Sequence, residues 1–179
     1  MREERLLELW DLYTWDRQKT GRTCVRGTPV PHGLMHMVVH VIVFNTRGEM
    51  LCQQRQSFKE GYPNLWDISA GGSALAGEDR QSAAQRETFE ELGLRVSLAG
   101  QAPHFTLHVD NYFSDYYLVT QDVDLASLHL QQSEVQAARW LTQDDILRML
   151  DEGTFCPYHR SFIELLFGLR NCRGALAHL

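Results

Sequence analysis

No two of the four cysteines, Cys24, Cys52, Cys156 and Cys172, form a CxxC pair. Their scatter excludes a structural zinc site and a disulfide framework, and reduced thiols in a cytoplasmic protein are the default reading. No apolar run reaches the roughly 18 residues that a membrane helix needs. Residues 1–9 are charged and lack the apolar stretch of a secretory signal. A basic stripe is missing as well: the formal net charge is −6, which argues against a nucleic-acid polymer as partner. Small anionic ligands remain open, because a bound cation can supply local positive charge. There is no internal repeat and no low-complexity tract.

What remains is the composition of an ordinary folded domain. A chain of 179 residues, 44% hydrophobic, suits one core spanning 1–179, with residues 1–33 as a hairpin extension. A charged fraction of 22% gives no case for disorder. Leu7 to Tyr13 reads as a strand, Asp16 to Gly21 as a polar turn, and Arg22 to Arg26 as the returning strand. Thr28 to Gly33, with two prolines, is a connector. Met37 to Phe44 is almost continuously apolar and rich in valine, the pattern of a strand buried on both faces. Met50 to Arg55 returns after the turn at Asn45 to Gly48, and Leu65 to Ala70 is a short strand. Gln81 to Leu92 is a helix that stops at Gly93. Strands follow at Phe105 to Val109, Tyr112 to Val119 and Ala137 to Leu141, then helices at Gln143 to Leu150 and His159 to Leu169. The economical assembly is a mixed sheet covered by helices.

The chemistry is concentrated between Gly72 and Leu94. At 3.6 residues per turn, Glu87, Glu90 and Glu91 fall within an arc of roughly 100°. Ala84, Thr88, Phe89 and Leu92 are expected on the opposite, sheet-facing side. Carboxylates at i, i+3 and i, i+4 repel one another. A hard divalent cation removes that repulsion, and Mg²⁺ favours oxygen ligands plus retained water. Arg86 precedes Glu90 by four residues and can hold it through a charge-assisted bond. Gly71 and Gly72 let the backbone approach a metal or phosphate without a Cβ in the way. Three glutamates alone would read as a solvated acidic helix face. The seven fixed positions Gly72, Glu78, Arg86, Glu87, Glu90, Glu91 and Gly93 have a chance frequency of about 10⁻⁸ per window at average composition.

This stretch resembles the Nudix signature, G-x5-E-x7-R-E-U-x-E-E-x-G-U with U a bulky apolar residue. Only Thr88 departs from it, and its methyl can still pack. The resemblance implies an α/β/α sandwich around a mixed sheet and a Mg²⁺-dependent hydrolase, with Mn²⁺ as alternative. It implies that Glu87 and Glu91 bind metal, with Glu90 as a further ligand or base. The carbonyl of Gly71 would complete the shell, Arg86 would orient the carboxylates, and Glu78 would support them. The implied substrate is a small diphosphate such as a nucleoside diphosphate derivative.

A second likeness covers 36–66, which resembles type I isopentenyl diphosphate isomerases at His36, Phe44, Asn45, Gly48, Arg55, Lys59, Pro63 and Trp66. That family's catalytic cysteine is replaced by Gly71, its metal-binding histidine by Ser73, and its later catalytic glutamate falls near Tyr112. The intact glutamate set therefore favours a hydrolase in an isomerase-like branch. An isomerase and a non-catalytic nucleotide sensor are the rivals, and the intact box counts against the sensor. Glu134, before the strand ending near Trp140, is a candidate base as much as a surface glutamate. Arg55 and Lys59 are candidate phosphate contacts. His36 could be a ligand, a substrate contact or a satisfied core histidine at a strand start, and Ser73 at the partner position favours the last. Tyr112 and Tyr116 should face one side of their strand, Phe113 and Tyr117 the other, and one pair could stack on a base. Trp10 and Trp15 are read as packing residues or contacts within a homodimer.

Overall fold

The computed structural model describes residues 7–172 and 174, so the charged stretch at 1–6 lies outside the described residues. The chain opens with an antiparallel hairpin, β1 (Leu9–Tyr13) and β2 (Lys19–Val25), in which Leu9 pairs with Val25 and Trp10 with Cys24. Lys19 to Gly21, expected in the turn, belong to β2. Thr14 N–H donates to the Gln18 carbonyl and Arg17 N–H to that of Thr14, at 3.0 and 2.9 Å. The turn therefore closes within 14–18 and leaves Lys19 opposite Tyr13. Polar composition misled here because both faces of β2 are largely open to solvent.

The central strand is β3 (His36–Phe44), and its near-continuous apolar pattern has the expected cause. Val39, Val41 and Val43 face one core, while Ile42 and Phe44 face another on the opposite side of the sheet. β3 runs parallel to β8 (Tyr112–Thr120), which pairs antiparallel with the edge strand β7 (Phe105–Val109). It meets β4 (Met50–Arg55) only at the turn, through Phe44 and Met50. β4 pairs on its other side with β9 (Val135–Leu141).

The strand expected over Leu65 to Ala70 is two strands. β5 (Trp66–Asp67) pairs with β4, and β6 (Ala70–Ser73) pairs with β3. Ser69 makes the break: its hydroxyl donates to the Leu51 carbonyl of β4 and accepts from Val43 N–H of β3. The segment thus crosses the opening between two diverging strands, and a buried side chain replaces the missing ladder bonds.

Helix α1 (Arg80–Leu92) covers the first core, and α2 (Gln143–Asp151) and α3 (Arg160–Leu169) cover the second. Asp79 caps α1 by accepting from Gln81 and Ser82 N–H, and Gly93 ends it in the left-handed conformation at φ 66°. The result is an α/β/α sandwich with a mixed sheet and an N-terminal hairpin. Ala83, Ala84, Thr88 and Leu92 make the buried face of α1, joined by Glu91. Phe89, expected on that face, is 43% exposed, with the Arg95 guanidinium 4.3 Å over its ring. Glu91 takes the buried place because α1 leans on the open end of β6, where backbone polar groups are within reach.

Candidate active site

The eight residues singled out as metal, catalytic or phosphate-binding candidates line one cavity of about 250 Å³. They are Arg55, Lys59, Gly71, Arg86, Glu87, Glu90, Glu91 and Glu134. β4 and its following loop bring Arg55 and Lys59, β6 brings Gly71, α1 brings the four-residue motif core, and the loop before β9 brings Glu134.

Arg86 organises the helix face. Its Nε and Nη2 donate to the two carboxylate oxygens of Glu78 at 2.7 and 2.9 Å, a forked bond that fixes the guanidinium plane. Nη2 also donates to the Ser73 carbonyl, while Nη1 donates to Glu87 at 2.9 Å and Glu90 at 3.0 Å. One cation therefore holds three carboxylates. Glu78 is itself anchored by Leu75 N–H. Thr88 satisfies the departure from the motif by donating its buried hydroxyl to the Ala84 carbonyl.

Glu91 lies against β6 and β4, accepting from Gly71 N–H at 3.2 Å and from the Gln53 amide at 2.9 Å. Burial pushes its carboxyl up to about 8, and the nearby Glu87 charge adds to this against those two hydrogen bonds. Burial raises Glu87 as well, with Arg86 acting the other way. Glu90 differs: its side chain is 46% exposed and turned to Arg86. The glycines are required by contact. A methyl on Gly72 would overlap the Glu87 carboxylate, and one on Gly71 would overlap the His40 ring and the Val39 carbonyl.

The donor set is all oxygen, as a hard divalent cation prefers. Among the described residues no three His, Cys, Asp or Glu groups converge into a ready cage. Mg²⁺ is characteristically held by one or two carboxylates, retained water and substrate phosphate, and Glu87 with Glu91 fits that pattern.

Lys59 is ion-paired with Glu134 across the cavity mouth. Arg55 donates to the Gly61 carbonyl at 2.9 Å and lies 3.4 Å from Asp67. It also lines a second cavity of about 500 Å³, together with His40, Asp67, Tyr112, Tyr116 and Tyr158. Tyr112 and Tyr116 share this side, while Phe113 and Tyr117 pack in the opposite core, the alternation expected along β8. His36 is buried and stacked on Trp10 at 4.1 Å, but its Nδ1 has no hydrogen-bond partner among the described residues. It is a packed core histidine, with a hydrogen bond to the Met37 backbone.

The profile of the Nudix domain matches residues 34–166. The chain belongs to the Nudix family. An uncharacterised Nudix hydrolase of Listeria monocytogenes is 45% identical over 165 residues, 92% of this chain and 96% of that one. Nudix hydrolase 3 of Arabidopsis thaliana is 31% identical over 166 residues, 84% of this chain and 22% of that longer one. A Deinococcus radiodurans crystal structure superimposes with a TM-score of 0.70 at 21% identity, covering 89% of this chain and 97% of that one, a likeness of fold. Nudix membership makes this chain a hydrolase acting on pyrophosphate bonds. No helix among the described residues is long and apolar enough to cross a membrane.

Sequence reading passed over Gln53, Arg26, Glu8 and Gln131. Gln53 was legible in principle: on β4 it stands two positions before Arg55, on the same face. The other three had no signal, because the hairpin and the loop before β9 reach the cavity only through tertiary packing.

Proposed function

We propose that this Nudix protein uses Mg²⁺, or Mn²⁺ in its place, to hydrolyse the diphosphate linkage of a small metabolite, a nucleoside diphosphate derivative or a nucleotide. The observation that carries the reading is the pair Glu87 and Glu91, the first half-buried and held with Glu90 by Arg86, the second buried against Gly71 and Gln53, in a cavity rimmed by Arg55 and Lys59. Glu87, Glu91 and the Gly71 carbonyl would hold the cation, with Glu90 as a further ligand. When bound, it would supply positive charge against the carboxylates and phosphates and lower the pKa of water.

The chain's own groups do the rest. Arg86 keeps the carboxylates oriented, and Arg55 and Lys59 bind the phosphates of the substrate. Glu134 or Glu90 takes the proton from the attacking water. Glu134 makes no hydrogen bond to Arg86 and is ion-paired with Lys59, which a phosphate would draw away. The water oxygen bonds to one phosphorus, the anhydride P–O bond breaks, and the second phosphoryl group leaves with the bond's electrons. The cavity beyond Arg55, with Tyr112 and Tyr116 on its wall, accepts the group attached to the diphosphate. The relatives described above are hydrolases by name, and the isomerase-like likeness of 36–66 gains no support from them.

The test is a panel of diphosphate metabolites with products identified by mass spectrometry, run on wild type and Glu91→Gln. The variant should remain folded and lose roughly 10²-fold or more in kcat, the scale of a lost charge-stabilising group. Near-normal turnover by the variant would sink the assignment of the metal site.

A further inference from the structure

We infer that Arg26, on the N-terminal hairpin, is a substrate-phosphate ligand of the active site and that Glu8 occupies it in the substrate's absence. The inference rests on the hydrolase reading above and adds a residue from outside the segment that matches the family, 34–166. Arg26 follows β2 and Glu8 precedes β1, so the two stand at the open end of the hairpin, on the wall of the same cavity as Glu87 and Glu134. Arg26 N–H donates to the Glu8 carbonyl at 2.9 Å, and its Nη1 donates to the Glu8 carboxylate at 2.6 Å. Besides Glu8, the carboxylates that stabilise its charge are Glu87 and Glu134, both groups of the catalytic cavity.

The hairpin is fixed firmly enough to aim a side chain. The Leu9 carbonyl accepts from Ala76 N–H at 2.7 Å, and the Asp11 carboxylate accepts from Gly77 N–H at 2.9 Å, both in the loop that leads into α1. Leu12 and Tyr13 are buried, and Trp10 lies flat on His36. Arg26 and Lys59 thus line the same cavity as the carboxylates. Each is paired with a glutamate that a phosphate can replace: Lys59 with Glu134, Arg26 with Glu8. An arginine offers a planar fork that matches two phosphate oxygens, so a phosphate can replace the single Nη1 bond to Glu8 with a forked pair.

The alternative is that Glu8 and Arg26 only clip the ends of the hairpin together. The two roles predict opposite effects for Glu8. Binding of methylenediphosphonate, a non-hydrolysable diphosphate, is measured by calorimetry with Mg²⁺ present, beside thermal melts of the free proteins. Arg26→Gln should bind roughly tenfold more weakly, the scale of one lost bond between charged groups. Arg26→Lys should recover only part of that loss. Glu8→Gln should bind more tightly than wild type, since the competing carboxylate is gone. If both Arg26→Gln and Glu8→Gln lower the melting temperature and leave binding at the wild-type level, Arg26 is a clip, and the inference falls while the hydrolase reading stands. If wild type does not bind the diphosphonate at all, the hydrolase reading falls and takes this inference with it.

Discussion

Gly72 shows how much of the site depends on one missing methyl. Its Cα faces the Glu87 carboxylate so closely that any side chain would push that carboxylate out of place. Gly72→Ala should therefore lower kcat at least roughly tenfold by displacing Glu87, and should cost about 1–3 kcal/mol, the range for overpacking a closed site. Steady-state kinetics and urea unfolding check both parts; unchanged activity would mean that Glu87 reaches its working position from elsewhere. At this scale the sequence was largely readable. Gly72, Glu78, Arg86, Glu87, Glu90 and Glu91 lie within twenty residues, so their spacing on one helix and one strand end is set locally. What spacing did not reveal is rank: Glu91 is buried and Glu90 half-open, because the sheet edge covers one and not the other.

Among the elements, the hairpin and β3 are joined by the Trp10–His36 stack, and that contact carries a pH dependence. Burial pushes the His36 imidazole down to about 4, against an unfolded value of about 6.5. The unfolded chain therefore binds more protons than the folded one between those values. The stability that neutral His36 contributes is fully present above about pH 6.5 and is lost as pH falls through 4. Thermal melts from pH 7 to 4.5 should show wild type falling more steeply than His36→Gln. Parallel slopes would mean that the imidazole is protonated without cost in the folded state. The elements also show where periodicity stops being informative. The nine residues of β3 follow from their composition, but Leu65 to Ala70 looks like one strand and is two, because Ser69 bonds to both neighbouring strands.

For the molecule as a whole, the fold keeps half-buried Glu87 near buried Glu91, a standing repulsion that a cation relieves. Mg²⁺ or Mn²⁺ should bind the folded state far better than the unfolded chain, and at a free concentration of 100 Kd mass action adds about 2.7 kcal/mol. The melting temperature should rise with Mn²⁺ and return with chelator. Glu87→Gln should be no less stable than wild type in chelator, since a raised carboxyl is removed, and should show a smaller metal-induced rise. An equal rise in both proteins would place the cation elsewhere.

The sequence alone determined the parts that local rules govern. These are the helix that stops at Gly93, the carboxylate spacing on it, the doubly buried β3, and the alternation of Tyr112 and Tyr116 against Phe113 and Tyr117. Each depends on the period of one element or on the chemistry of a turn. Only the tertiary structure decided that Arg55, Lys59 and Glu134 meet those carboxylates in one cavity, that Gln53 holds Glu91, and that Arg26 arrives from the far end of the chain. Those meetings depend on which strands pair and how the hairpin docks. Long-range pairing is set by burial summed over the whole core, and no local pattern near Arg26 or Glu134 records it.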